Sequence, residues 1–226
     1  MILAQVEGQP YIDWGWIADH MDLVWTRLIE HVYLTFIAVA IGMLISFPLA
    51  IFAHRHRRSY GPIAAVTGLL NTIPSLALFA FLVPYTHLSV LTAEIGLVSY
   101  TLLILIRGVV SGLNGVPADA RDAALGMGHS RSELLWRVEL PLSTPVIIAG
   151  IRIATVTTIG LVTVTALIGK GGLGYFILTG IDRNFPTASL LGSVLSLGLA
   201  VVVDFLLVRV ERLATPWAHR ARGATA

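Results

Sequence analysis

The 226-residue chain contains no cysteine. Disulfide staples, thiolate metal sites and cysteine nucleophiles are excluded together. Lysine is nearly absent as well: Lys170 stands alone against fourteen arginines. Charged residues of both signs make up only 12% of the chain, about half the share of an average soluble domain. That polar coat is too thin for a free cytosolic enzyme of this size. In its place the chain is apolar, with 56% hydrophobic residues and a mean hydropathy of +0.82. Apolar residues come in blocks, several of them about 20 long, which is the length that crosses a hydrocarbon core of ~30 Å as a helix. The chain reads as an all-α membrane protein of about five spans.

The blocks cover residues 32–52, 63–82, 88–110, 146–168 and 190–208. The first is apolar around its whole circumference and stops at His54-Arg55-His56-Arg57-Arg58. The second is interrupted by Asn71, Pro74 and Ser75, and the third has Glu94 near its start. The fourth is rich in threonine and contains Arg152; the fifth contains Asp204. Eleven basic residues fall on one side: Arg55, Arg57 and Arg58; Arg107, Arg121, Arg131 and Arg137; and Arg209, Arg212, Arg220 and Arg222. Only Arg27, Lys170 and Arg183 fall on the other. Positive loops stay cytoplasmic, so the N-terminus is expected outside and the C-terminus inside. The first 25 residues lack a basic leader and a cleavage site, and Trp14, Trp16 and Trp25 suit an interfacial aromatic belt. This divides the chain into an outer segment 1–27, a membrane domain 28–212 and a cytoplasmic tail 213–226.

The cytoplasmic stretch 111–144 is unlike the other loops, which are short. A loop of this length with helical character is usually functional. Pro117 and Asp119 suit a helix start, and the good formers of ADARDAALGMG end in glycine. HSRSELLWRVELP then opens with Ser130 or Ser132 in a capping position and is expected to stop at Pro141. Two short helices joined by a turn at Gly128 are predicted.

Asp122-Ala123-Ala124, Gly128, and Val138, Leu140 and Pro141 follow the spacing E-A-A-x3-G-x9-I-x-L-P in register, with Asp for Glu and Val for Ile. This resembles the EAA loop of the permease subunits of ABC importers. Asn71-Thr72-Ile73-Pro74-Ser75-Leu76-Ala77-Leu78, Ile168 to Gly174 and Ala149 to Ala154 are similar to segments of the osmoprotectant branch, which imports glycine betaine, choline and carnitine; Lys170 departs from the small residue usual there. The resemblance covers about residues 28–212 and extends in part to amino-acid and methionine importers. It implies a type I ABC importer transmembrane-domain fold in a bacterial inner (plasma) membrane. It also implies that Arg121, Asp122, Ala123, Ala124, Gly128, Arg131 and Pro141 couple the chain to a separate ATPase. The partners implied are two ATPase subunits, a second permease (identical or a sister chain) and an extracytoplasmic solute-binding protein in a lipid bilayer, with no nucleic acid. ATP and Mg would be bound by the ATPase, leaving this chain without cofactor or catalytic residue. Broken helices in transporters are tolerated where they line a cavity, and the resemblance implies that Asn71, Thr72, Pro74 and Ser75 border the translocation path and gate, with a plain kink at Pro74 as the competing reading. The threonines of the fourth span, Thr158 among them, are expected either to line the same path or to hydrogen-bond other helices.

Other motifs carry less. Gly169 to Gly174 formally satisfies G-x-G-x-x-G but follows a lipid-length helix instead of a strand, and no Walker A is present. A tight outer re-entrant turn is the expectation there. Histidines 20, 31, 54, 56, 87, 129 and 219 lack metal spacing and are expected to be surface or interfacial. Arg152 and Asp204 are the two ionisable groups well inside spans, at similar depth, and are expected to pair. No chain of carboxylates crosses the bilayer, which disfavours a proton-coupled secondary transporter.

Overall fold

The computed structural model describes residues 11–216 and turns each apolar block into helix. The elements are α1 (Trp14–Asp19), α2 (Met21–Arg55), α3 (Arg57–Thr72), α4 (Ser75–Thr86), α5 (Val90–Asn114), α6 (Ala118–Gly126) and α7 (Arg131–Glu133). A π-helical turn (Leu134–Glu139) leads into α8 (Leu140–Val164), and a 3-10 turn (Thr165–Ile168), α9 (Gly174–Asp182) and α10 (Pro186–Ala214) follow. No strand occurs among the described residues. His219, Arg220 and Arg222 lie outside them.

Four continuous helices are long and apolar enough to cross a bilayer: α2, α5, the run Arg131–Ile168, and α10. The pair α3 and α4 is long and apolar enough for a fifth span only when the two are taken together, and it is bent by 91° at its break. α5 is the central helix. More than half of its apolar window (56%) is buried, against 11% for α10, whose outer faces are left to lipid or partners. α5 packs along both α2 and α8, with α3 and α4 on a further side, while α10 rests on α8 and α9. Toward the cytoplasm the core is Ala50, Ala53, Ile106, Val109, Leu113, Leu135 and Ile147; toward the outside it is Leu34, Ala38, Phe79, Leu97, Val162 and Ile168. α5 and α8 come closest where Gly108 faces Gly150: a Cβ on either would lie 3.0–3.1 Å from the other's Cα. Small residues permit this approach, which is how helices gain packing in lipid.

The second span is broken at Pro74, as its polar and proline residues suggest, and by more than a kink. With the Pro74 nitrogen unable to donate, the chain turns through extended backbone at Ile73 and Pro74, and α4 restarts in a new direction. Other expectations change. Pro141 does not stop its helix. It sits at the start of α8, just after a turn in which the Leu140 N–H bonds Leu135 O, five residues back, and the widened turn carries the helix past the proline. The α8 hydroxyls of Thr155, Thr158 and Thr163 bond carbonyls of their own helix instead of other helices. No structural seam marks residue 27, because α2 runs through it unbroken.

His31 departs furthest from a surface role. It is fully buried in α2. Its Nε2–H donates to Ile159 O of α8 (3.0 Å), and its Nδ1 accepts from the Leu173 N–H (3.3 Å) in the outer glycine turn. Gly172 beside it has φ +48°, and a Cβ there would strike the His31 backbone at 2.7 Å. The outer turn is therefore seated directly on α2, with the ring as its fastening.

Candidate functional site: the cytoplasmic loop and the broken helix

α5 ends at Asn114, so the cytoplasmic loop begins later than residue 111, and residues 140–144 already belong to α8. Pro117 stands immediately before α6, with Asp119 in the first turn near the positive helix end. Gly126 closes α6, and Gly128 at φ +88° turns the chain back. Ser130 then forms a capping box with Glu133: the Ser130 hydroxyl accepts from the Glu133 N–H, and Glu133 Oε2 accepts from the Ser130 N–H (3.0 Å) and hydroxyl (2.9 Å). These bonds hold the Glu133 carboxyl below the usual carboxylate range.

Ala124 fixes the rotation of α6. It is buried on the side where α6 meets the π-helical turn, which leaves Asp122, Ala123 and Leu125 exposed. Beyond them Met127 is 73% exposed and Trp136, on the following helix, 58% exposed. Arg131 is also exposed. Asp122, Ala123, Gly128 and Arg131 are thus exposed, as are three large apolar side chains that composition alone had not singled out. The signal for them was the burial of Ala124, which sets its neighbour Leu125 outward.

Arg121 does not join that surface. Its Nη2 donates to Leu113 O at the end of α5 (2.6 Å), and its Nε lies 2.8 Å from Glu139 Oε1, off the N–H line, as a charge contact. Glu139 is buried and also faces His54 Nε2 at 3.4 Å. His54 in turn shares a hydrogen bond with Asn114 Oδ1 (2.9 Å). Pro141 is half-buried, above the π-helical turn.

At the other candidate site, Asn71 donates to Tyr100 O of α5 (3.2 Å) and the Tyr100 hydroxyl donates to Ile73 O (2.5 Å). The second bond satisfies a carbonyl at the break beside Pro74, while the first braces α3 against α5. Thr72 bonds Leu69 O of its own helix (2.7 Å) and is exposed, as is Pro74; Ser75 is half-buried. Thr158 is not part of this group. It is 1% exposed and its hydroxyl bonds Ala154 O, so it faces no open path.

Arg152 and Asp204 meet across α8 and α10 as a bidentate pair: Nε to Oδ1 at 3.0 Å and Nη2 to Oδ2 at 3.1 Å. Glu211, seven residues along the same face of α10, takes the remaining guanidinium nitrogen at 3.2 Å. The i,i+7 spacing of Asp204 and Glu211 is the sequence signal for this third member.

The family model for the binding-protein-dependent transport system inner membrane component matches residues 38–215. The chain belongs to this family. It is a multi-pass inner-membrane permease component. Among curated relatives, it is 36% identical over 187 residues to the choline transport system permease protein OpuBB of Bacillus subtilis (strain 168), covering 83% of this chain and 86% of the relative. It is 34% identical over 206 residues to the osmoprotectant import permease protein OsmW of Salmonella typhimurium, covering 89% and 96%. Among solved structures, the inward-facing MetNI methionine ABC transporter superposes with a TM-score of 0.80 at 21% identity, covering 87% of this chain and 98% of that one. That likeness establishes the type I importer fold. The permease resemblance and its osmoprotectant branch agree with these relatives.

Proposed function

We propose that this permease forms half of the pore of an ATP-driven importer for a quaternary-ammonium osmoprotectant such as choline, glycine betaine or carnitine. Relatives whose names carry those solutes span more than four fifths of the chain. The observation that carries the coupling is the loop surface around α6. Leu125, Met127 and Trp136 expose apolar area on the cytoplasmic side, with Asp122 and Arg131 also exposed, in and after a helix whose Ala124 is buried. An exposed patch of this kind beside a rigid turn suits a protein partner. A separate ATPase, present as two subunits with their ATP and Mg, would seat α6 and move it on nucleotide closure. Asp122 keeps the acidic charge of the family position with a shorter reach.

A second permease, identical or a sister chain, completes the pore, with closed two-fold symmetry as the default. An external binding protein selects the cation, by cation–π contact in an aromatic cage. The break at Pro74, with Asn71, Thr72 and Ser75 around it, borders the path, and α3 and α4 change their mutual angle as the opening alternates. Arg152 and Asp204 hold α8 and α10 together meanwhile.

The test is reconstitution of the chain with an ATPase and a binding protein in proteoliposomes, measuring uptake of radiolabelled choline, glycine betaine and carnitine. Uptake is expected only with internal ATP and external binding protein. Gly128→Asp, which places a charged side chain at a positive-φ position on the docking surface, is expected to release the ATPase on purification. Uptake driven by a proton gradient without ATP would overturn the reading.

A further inference from the structure

Side chains of α6 and α2 meet at Glu139. It ends the π-helical turn, and its two carboxylate oxygens serve different elements: Oε1 lies 2.8 Å from Arg121 of α6, and Oε2 lies 3.4 Å from His54 in the last turn of α2. Arg121 also holds Leu113 O, and His54 holds Asn114, both at the end of α5. The helix that faces the cytoplasm is therefore tied by polar contacts to the inner ends of two membrane helices. Glu139 lies between the motif positions Val138 and Leu140 and belongs to none of the spacing that identifies the loop.

We propose that Glu139 is a positioning residue that transmits movement of α6 to α2 and α5, through Arg121 on one side and His54 on the other. The proposal rests on the coupling reading above and names the residue through which it acts inside this chain.

Packing alone does not require such a cluster. Ala53, Val110, Leu113, Leu135 and Ile147 already form an apolar core joining α2, α5, the π-helical turn and α8 at this end, and α6 contributes no residue to it. Burying a carboxylate beside them costs desolvation that a hydrophobic side chain of similar volume would avoid. What charge adds is a response in both directions. An apolar contact resists compression but separates with little directional restraint, whereas a carboxylate held by a guanidinium resists being pulled apart as well. Alternating access moves α6 both ways, so a contact that works under tension is the one needed. The π-helical turn fits the same role: such turns cluster at functional sites, and this one sets Glu139 inward at the point where the helix passes into the membrane.

The experiment uses the assembled importer in proteoliposomes and measures bound ATPase, ATP hydrolysis stimulated by the binding protein, and choline uptake in the same preparations. Glu139→Gln keeps the volume and removes the charge. It is expected to retain the ATPase and its hydrolysis while uptake per ATP falls about tenfold, the size of effect seen for residues that carry coupling between sites. Arg121→Gln is expected to lower uptake per ATP similarly, and the double variant to be no worse than the more affected single one, because both remove one link. Arg121→Gln lies outside the core and keeps the test available where Glu139→Gln lowers yield. Native uptake per ATP in Glu139→Gln or in Arg121→Gln, or strictly additive losses in the double variant, would overturn the proposal. So would a loss of uptake matched by loss of bound ATPase, since the cluster would then serve docking. Failure of the broader reading looks different: the native chain would bind no ATPase at all, or would keep it after Gly128→Asp.

Discussion

Replacing His31 tests whether the outer glycine turn is fastened to α2 by the imidazole. The ring is fully buried and both nitrogens are used, one donating to Ile159 O and one accepting from the Leu173 N–H. The two bonds are not equivalent. Ile159 O lies inside α8 and keeps its own helical N–H partner when the ring is gone, whereas the Leu173 N–H has the ring as its acceptor. Leaving a buried donor bare costs about 1–3 kcal/mol, and the void left by a smaller side chain adds to it. His31→Leu should therefore lose roughly 2–4 kcal/mol. For a chain of this length that corresponds to a fall in unfolding midpoint of roughly 5–15 °C. His31→Asn places an oxygen near the position of Nδ1 and should recover the larger part. His31→Gln places an amide nitrogen near Nε2 and should recover less. The assay is thermal unfolding of the purified permease in detergent or nanodiscs, with the three variants side by side. The expected order is His, Asn, Gln, Leu. A Gln variant as stable as Asn, or a Leu variant within about 0.5 kcal/mol of native, would refute the reasoning, because substitutions that break no specific feature usually stay in that range.

Gly108→Val should lower the unfolding midpoint and yield, since its Cβ meets the Gly150 backbone at 3.1 Å and overpacking costs about 1–3 kcal/mol, while Gly160→Ala, with open space around it, should be near neutral in the same assay. At the intramembrane cluster, Arg152→Met strands two carboxylates, whereas Asp204→Asn leaves the arginine with Glu211; the first should destabilise more, as read by thermal unfolding, and equal losses would remove Glu211 from the cluster. Because the Glu133 carboxyl is held below its ordinary range by Ser130, its capping contribution is complete above that range and disappears as pH falls through the lowered value. Amide exchange at residues 130–135, corrected for the intrinsic pH effect, should lose protection in acid, and Ser130→Ala should remove that protection at neutral pH without an acid step.

The parts of this molecule that were legible in the sequence are those set by local spacing or by depth. Ala123, Ala124, Gly128 and Pro141 stand at fixed intervals along one segment, and the turn at Gly128 needs only the conformational freedom of one residue. Counting residues from the cytoplasmic edge puts Arg152 and Asp204 at matching heights, and the structure joins them. Contacts between distant segments were not legible. His31 meets residues more than a hundred positions away, and nothing in its own neighbourhood reports that. Arg121 looked like a surface residue of the coupling helix until Glu139 and Leu113 showed which way it turns. Pro74 announced an interruption but not its angle, because the contacts made at the bend, such as the Tyr100 hydroxyl on Ile73 O, come from another helix. Pro141 suggested a stop because the extra residue absorbed by a π-helical turn has no compositional signature.

The length of α2 has a further implication. At 35 residues it measures about 52 Å, well beyond a ~30 Å hydrocarbon core even after ordinary tilt. With Arg55 at the inner edge, the surplus stands on the far side of the bilayer as three or four helical turns. Trp16 leans there on Phe176 and Phe185, and the Asp13 N–H reaches Thr187. Among the described residues, the outward surface of this permease is thus a floor of braced helix ends, and a protein landing there to hand over cargo would have to do most of the yielding itself.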